Sequence, residues 1–305
     1  MGHYLCQSII GHAPEVPVTD QEASDIAGAM SAILECIRFE EEWDIAVGNV
    51  FSMEQEVLQT ALYDVLFSDL DWHEFNDLRV KLVRLLQNLL SSCRSYLDHS
   101  PQYLNKLDKT GALSAFFKAE TNRAYDESLA YRFMEELRNH AQHSGHPVHG
   151  TVLDTRRIEH EQGTVWRSVA GATIDLEVLR ATSFKKRVLR EAEERGLRLD
   201  PIQMAREYIE KLSQVHVATR DELLTRGLTK RAAIESAQRS YTSAGGDLLA
   251  LALWKDQGED EDRRVTTVFL NPFERFEKLA KKNRLLRNFS KQYVSGEILA
   301  AKKLP

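Results

Sequence analysis

Hydrophobic positions along the chain repeat at the spacing of packed helices. Between residues 75 and 96, apolar side chains follow one another in alternating steps of three and four, which places them on one face of a helix. The same rhythm runs through residues 202–223, after an Asp200-Pro201 pair that is typical of a helix N-terminus. The pattern therefore predicts two long helices that pack lengthwise in a bundle.

Shorter stretches of helical periodicity surround these two helices. The first begins at Thr19 or Asp20 and ends near Arg38, where an acidic stretch at 40–44 interrupts the pattern. Pro101 and a turn at 108–111 are expected to end the helical hairpin that contains residues 75–96. Further helices are predicted at residues 53–67, 112–119, 128–143, 183–195, 229–242 and 247–254, and from residue 271 onwards.

After residue 150 the pattern changes from helical to extended. Residues 151–158 and 164–169 flank a turn at 161–163 and predict a β-hairpin. We expect this hairpin to pack on the bundle and to hold the preceding helix in place. An alternative role is contact with RNA through side chains that stack on bases and bind phosphates; these are Arg156, Arg157, Trp166 and Arg167. A short strand is also predicted at 265–270.

Charge is divided unevenly along the chain. Residues 1–100 contain 17 Asp and Glu against 5 Lys and Arg, a balance of −12, and the whole chain carries −6, so the remainder carries +6. The basic excess is expected on solvated helix faces or on a phosphate-binding surface. The charge distribution and the hydrophobic periodicity together predict a mainly α protein in three parts. These are an acidic N-terminal helical bundle at 1–150, a β-hairpin at 151–175 and a basic C-terminal helical region at 176–305, packed on the same bundle.

Composition excludes several classes of protein. The 43% hydrophobic content supports a large core, and no apolar run approaches the length of a membrane helix. Cys6, Cys36 and Cys93 are scattered without a paired motif, which argues against a disulfide framework or a thiolate metal site. The first ten residues lack the features of an export signal, so a cytoplasmic protein without a membrane partner is expected. No phosphate-binding loop, dinucleotide glycine motif or nucleophile elbow is present.

One stretch combines several side chains that are suited to chemistry. Residues 138–148 contain an arginine, an asparagine and a histidine at the end of a helix that Ser128 is expected to cap and that Gly145 and Pro147 are expected to end. On a helical wheel the apolar side chains of this helix occupy an arc of roughly 140°; they are Leu129, Ala130, Phe133, Met134, Leu137 and Ala141. The opposite side predicts an exposed polar face, formed by Tyr131, Arg132, Glu135, Arg138, Asn139, Gln142 and His143.

Arg138-Asn139 followed by His143 is similar to the R-x4-H motif of the HEPN (higher eukaryotes and prokaryotes nucleotide-binding) superfamily. The resemblance covers this short segment, including the exit through Ser144, Gly145 and Pro147. It implies a helical bundle, and with the elements predicted above the expected fold is a HEPN-like helical bundle with a small β-hairpin insertion and additional C-terminal helices. It further implies a homodimer with the motif at the interface and metal-independent endoribonuclease activity. Toxin or anti-phage (abortive infection) roles are common in the family, so an antitoxin or defence-system partner is expected.

Histidine and arginine fit the chemistry of RNA cleavage by the 2′-hydroxyl group. Histidine exchanges protons near neutral pH, and arginine binds two phosphate oxygens while charge develops on them. We therefore assign His143 as general acid or base, Arg138 as phosphate clamp and Asn139 as an orienting group, with no cofactor. RNA, either tRNA or mRNA, is expected to be bound by further residues of the same helix, namely Tyr131, Arg132, His140 and Gln142.

Two other interpretations of the protein are left open, metal binding and a non-catalytic role. Histidines at every third position could bind zinc or nickel; they are His140, His143, His146 and His149. The protein could instead be a non-catalytic helical dimer or adaptor in which Arg138 pairs with a carboxylate such as Glu135. Arg94 and His99 repeat the motif spacing without the asparagine or the Gly/Pro exit, and we interpret them as coincidental. A lone histidine in the helix at 202–223, His216, is expected to be a hydrogen-bonded core residue.

Overall fold

The computed structural model describes residues 2–9, 12–67, 71–160, 163–258, 263–292 and 294. Within these residues the chain is mainly helical and carries two small antiparallel sheets. No helix in the described part is both long enough and apolar enough to cross a membrane. The mainly α character expected from the sequence is therefore confirmed.

Two long antiparallel helices form the frame of the bundle. Helix α1 spans Asp20–Phe67 and helix α2 spans Trp72–Leu107, with Asp71 and Glu74 forming a capping box at the start of α2. The predicted break at 40–44 is wrong, because Glu40 and Trp43 are fully buried and face the core. The predicted end at Pro101 is also wrong, since this proline lies inside α2.

The remaining helices complete the bundle around this frame. They are α3 (Ala112–Glu127), α4 (Leu129–His143), α5 (Leu176–Arg180), α6 (Lys186–Glu193), α7 (Pro201–Thr225), α8 (Arg231–Ser243) and α9 (Asn271–Lys282), followed by a short 3-10 turn at Phe289–Lys291. Helices α7, α8 and α9 pack against α1, and α4 packs against α2, α3, α6 and α7. The N-terminal and C-terminal helices therefore share one hydrophobic core.

A β-hairpin interrupts the helices after α4, as predicted. Strands β3 (Gly150–His160) and β4 (Gly163–Asp175) pair antiparallel, and the short strand β5 (Arg198–Leu199) pairs with the end of β4. Glu161 and Gln162 of the expected turn lie outside the described residues. Strand β4 contacts α1 and α7, and β3 contacts α2, so the hairpin packs on the bundle.

The second sheet joins the two ends of the chain. Strands β1 (His3–Gln7), β2 (Val16–Val18), β6 (Leu251–Lys255) and β7 (Arg263–Thr267) lie in the order β2-β1-β6-β7. The predicted helix at 247–254 is wrong, because residues 251–253 form a fully buried strand. Short apolar runs of this kind do not distinguish a buried strand from a buried helix.

Ion pairs between distant parts of the chain offset some of its charge asymmetry. Arg275 of α9 binds Glu41 of α1 at 3.0 Å, and Lys282 binds Asp44 at 2.6 Å. Arg206 of α7 forms two hydrogen bonds with Glu54. Part of the basic C-terminal region therefore neutralises the acidic first helix.

A hydrogen-bonded cluster around His216 lies in the core, as the sequence predicted. His216 Nδ1 lies 3.2 Å from the Tyr96 hydroxyl and its Nε2 lies 3.1 Å from the Glu40 carboxylate. Arg220 Nη1 and Asn283 Nδ2 also donate to Glu40, at 3.1 and 3.0 Å. Burial lowers the pKa of His216, although Glu40 opposes this shift. The neutral ring therefore donates from Nε2 to Glu40 and accepts at Nδ1 from Tyr96.

Candidate functional site

Helix α4 carries the motif and has the ends that its sequence predicts. The Ser128 side chain accepts a hydrogen bond from the Tyr131 amide at the N-terminus. At the C-terminus the amides of Ser144 and Gly145 both donate to the His140 carbonyl, at 2.8 and 3.1 Å. Pro147, which is buried, then directs the chain away from the helix axis.

Arg138 is half-buried and carries a charge that no described carboxylate neutralises. Its Nη1 donates to Asn139 Oδ1 at 3.2 Å, and its buried Nε has no hydrogen-bond partner. The carboxylate suggested as its partner, that of Glu135, instead accepts from the Tyr208 hydroxyl at 2.6 Å and lies 3.6 Å from Arg94. The Arg138 guanidinium is thus available to an anion.

The other motif residues lie on the exposed side of α4. Asn139, Gln142 and His143 are all exposed. Since side chains five positions apart on a helix point about 140° away from each other, Arg138 and His143 of one chain do not face a common point. A cleft that uses both groups therefore needs a second surface.

The remaining predicted RNA-binding residues are less accessible than the helical wheel suggested. Tyr131 is only 4% exposed and packs edge-on against Tyr208, so its expected exposure is wrong. Arg132 is half-buried and binds Glu191 at 2.6 Å. His140 is 5% exposed. The reason is that α4 packs against four other helices, α2, α3, α6 and α7, which leaves little of its polar side free.

The second arginine and histidine pair at motif spacing has a different environment. Arg94 binds Asp98 at 2.7 Å and approaches Glu135, while His99 Nδ1 lies 3.0 Å from Glu42. Both side chains are therefore engaged by carboxylates. This pair provides a matched comparison for Arg138 and His143 within the same chain.

A cavity of about 330 Å³ lies beside the C-terminal end of α4. Its lining includes Arg79, His140, His146, His149 and Thr182, and no described Asp or Glu takes part. Arg79 belongs to α2, about 60 positions before His140, and no local sequence signal linked the two residues. Of the four histidines that the sequence pattern grouped, three line the cavity and His143 does not, and the pattern gave no sign of Arg79.

The two inner histidines of the cavity each leave one ring nitrogen unpaired. His140 Nε2 and His149 Nε2 are buried and have no hydrogen-bond partner. His149 Nδ1 accepts the Asp175 amide proton at 2.9 Å, and His140 Nδ1 lies 3.4 Å from Thr182 Oγ1. Burial lowers the pKa of both rings, opposed in part by the nearby His146 carbonyl. Both rings are therefore neutral near pH 7.

This geometry disfavours the metal-binding interpretation. Because His149 Nδ1 is an acceptor, the proton of the neutral ring lies on Nε2, which then has no lone pair for a metal. His143 is exposed and does not line the cavity. Across the described parts of the chain, no three His, Cys, Asp or Glu side chains are arranged to hold a metal ion.

The end of α4 thus combines an unneutralised guanidinium, an exposed imidazole and a neighbouring cavity without carboxylates. Comparisons of the chain with protein-family models, curated proteins and solved structures found no match.

Proposed function

We propose that this protein is a metal-independent endoribonuclease of the HEPN type, acting as a homodimer. The observation that carries the proposal is the environment of Arg138, whose guanidinium has no described carboxylate partner, close in sequence to the exposed Asn139 and His143. A half-buried cation without a counterion is well suited to a phosphate group.

The proposed reaction needs only side-chain chemistry. His143 of one protomer removes the proton from the 2′-hydroxyl, whose oxygen attacks the adjacent phosphorus. Arg138 binds the phosphate oxygens as their charge grows, and Asn139 orients the substrate. The bond to the 5′-oxygen breaks, and His143 of the second protomer supplies the proton to this leaving group. The products are a 2′,3′-cyclic phosphate and a 5′-hydroxyl end.

The proposed dimer surface is an exposed apolar stripe on the second half of α1. It consists of Phe51, Leu58, Leu62, Val65 and Leu66, and Phe51 and Leu66 are 68% and 63% exposed. Trp72, at the start of α2, extends it and is 72% exposed. Large apolar and aromatic side chains of this kind supply several hundred Å² per copy, close to the roughly 800 Å² per partner of a standard interface. A second copy of this chain is therefore the occupant that we propose.

The stripe and the motif lie toward the same end of the helical frame. Arg79, two turns into α2, lines the cavity with His140, and Thr151 of β3 lies 3.5 Å from the Phe75 carbonyl. A two-fold axis through this end would bring the C-terminal ends of two α4 helices toward each other. That arrangement supplies the second surface that Arg138 and His143 require.

Following the resemblance, we infer a toxin or anti-phage role with tRNA or mRNA as substrate. In this role the nuclease is held inactive by an antitoxin or defence-system partner. Mapping RNA ends after induced expression identifies the RNA class that is cut.

The test is RNA cleavage in EDTA by the wild type, Arg138→Ala and His143→Ala. We expect each substitution to lower the rate by about 10²-fold or more, the usual contribution of acid–base and phosphate-binding groups. Arg94→Ala and His99→Ala remove side chains at the same spacing and should retain activity. Equal activity in all five proteins would refute the proposal.

A non-catalytic dimer or adaptor is the second candidate, and the exposed stripe on α1 favours it. The two functions share a dimer, so molecular mass in solution is measured for the wild type and for Leu62→Glu, which places a charge in the stripe. A dimer that Leu62→Glu disrupts, combined with no cleavage of any RNA class, would favour the adaptor.

A further inference from the structure

We propose that the cavity beside α4 is a phosphate-binding site in which Arg79 and His149 donate to the phosphate oxygens and His140 adds a third donor when its ring is protonated. Phosphate binding here does not require Arg138 or His143, neither of which lines the cavity. The site therefore stands apart from the proposed cleavage chemistry.

Arg79 supplies the fixed positive charge of the site. It is half-buried on α2 and forms no hydrogen bond or ion pair with any residue that the structure describes. The described lining contains no carboxylate that would compete for it. A guanidinium in such a setting selects an anion and presents paired N–H groups that match phosphate oxygens.

His149 supplies a donor whose direction is set by the backbone. Its Nδ1 accepts from the Asp175 amide at 2.9 Å, so the neutral ring carries its proton on Nε2. That Nε2 is buried and has no hydrogen bond of good geometry within the described residues, although the His146 carbonyl is close enough to raise the pKa of the ring. Unpaired buried donors are rare in folded proteins, and their usual explanation is a missing water, ion or ligand.

His140 is the third side chain that would contact a phosphate in the cavity. The ring is 5% exposed, and its Nε2 is buried without a partner among the described residues. Because the Thr182 hydroxyl donates to the Leu179 carbonyl, its oxygen accepts from His140 Nδ1. Nε2 of the neutral ring is therefore an acceptor, and it becomes a donor to an anion when the ring is protonated. A β-carbon built on Gly145 would lie 3.3 Å from this nitrogen, so the glycine leaves the ring edge free of side-chain cover. The Gly145–His146 turn shelters the ring from water, and we expect this turn to adjust when the site fills.

A phosphate fits these donors better than a carboxylate or a metal ion. The three side chains come from separate segments, namely α2, the end of α4 and the segment before β3. A phosphate monoester offers oxygens to the donors of Arg79 and His149 and, once its ring is protonated, to His140. The cavity, at about 330 Å³, also has room for an attached sugar. The tautomer of His149 argues against a metal, as described above.

Titration of the full chain with inorganic phosphate tests the site, followed by calorimetry and by nitrogen NMR of the histidine rings. We expect saturable binding that shifts His149 Nε2 and the amides of Gly145 and His146. Arg79→Met should weaken binding about tenfold or more, because it removes a charged donor. Arg84→Met provides the matched control, since Arg84 is exposed on the same helix and does not line the cavity.

Further ligands identify the source of the phosphate. If uridine 3′-monophosphate binds but a short 2′-O-methyl RNA does not, the site binds free phosphate monoesters. If the RNA binds, the site binds a phosphate of the RNA backbone. Equal affinity for acetate, tighter binding of zinc, or equal phosphate affinity in Arg79→Met and wild type would each overturn the proposal. Arg138→Ala and His143→Ala should still bind phosphate, so failure of the nuclease proposal and failure of this one are distinguishable.

Discussion

Two histidine clusters in the described part of the molecule differ in how completely they are hydrogen-bonded. In the core, His216 uses both ring nitrogens, which face Tyr96 and Glu40. At the end of α4, His140 and His149 each leave Nε2 without a partner. The first cluster also contains its own ion pair, whereas the second has only an unpaired arginine at its edge.

This difference distinguishes a structural role from a binding role. A buried polar group without a partner lowers the free energy of unfolding by about 1 to 3 kcal/mol. Such a group is therefore expected where it serves a function, such as binding a ligand. The His216 cluster needs nothing from outside the protein. The His140–His149 pair is complete only when an external group accepts the His149 proton and protonates or donates to His140 Nε2.

The largest expected effect is on the complete cluster. Glu40→Gln removes the charge that faces Arg220 and His216 in the core, and breaking a buried ion pair typically costs about 3 to 5 kcal/mol. Urea denaturation measures this loss. Glu41→Gln is the matched control, because Glu41 is adjacent in sequence, pairs with Arg275 at the surface and should contribute about 0 to 1 kcal/mol. Equal losses in the two variants would show that the core cluster is not structural.

Whether the sequence could predict a cluster depends on how far apart its residues lie along the chain. The position of His216 on a packed helix face was predictable, because the apolar rhythm of α7 and its Asp200-Pro201 start are local signals. The ends of α4 and the β3–β4 hairpin were predictable for the same reason. Each of these elements is specified by residues that are close together in the chain.

Contacts between distant segments were not predictable. Helix α1 continues through the acidic stretch at 40–44 because Arg220 and Asn283, about 180 and 240 positions later, bind Glu40. Nothing near position 40 indicates those partners. In the same way, the pattern placed His140 and His149 close together but gave no sign that Arg79 joins them.

Lowering the pH should reduce the free energy of unfolding through both histidine clusters, by less than the Glu40→Gln substitution does. Burial lowers the pKa of His140, His149 and His216, so the unfolded chain takes up protons near the ordinary pKa of about 6.5 while the folded chain does not. Stability should therefore fall as the pH drops below about 6.5. Urea denaturation at several pH values measures this slope.

Phosphate should separate the two clusters in the same experiment. An anion in the cavity stabilises the protonated forms of His140 and His149, so it should reduce the loss on acidification. Arg79→Met should remove this protection and leave the remaining slope, to which His216 contributes, in place. Protection that persists in Arg79→Met would place the anion elsewhere.

The smallest expected change comes from a matched pair of substitutions. His140→Leu removes an unpaired buried nitrogen and leaves Thr182 with its hydrogen bond to the Leu179 carbonyl, so stability should stay within about 1 kcal/mol of wild type. His216→Leu makes the same chemical change but leaves Glu40 and Tyr96 each without one partner, and should cost several times more. His140→Leu should also weaken phosphate binding. A large loss of stability in His140→Leu would show that this histidine supports the fold, and the contrast between the two clusters would then fail.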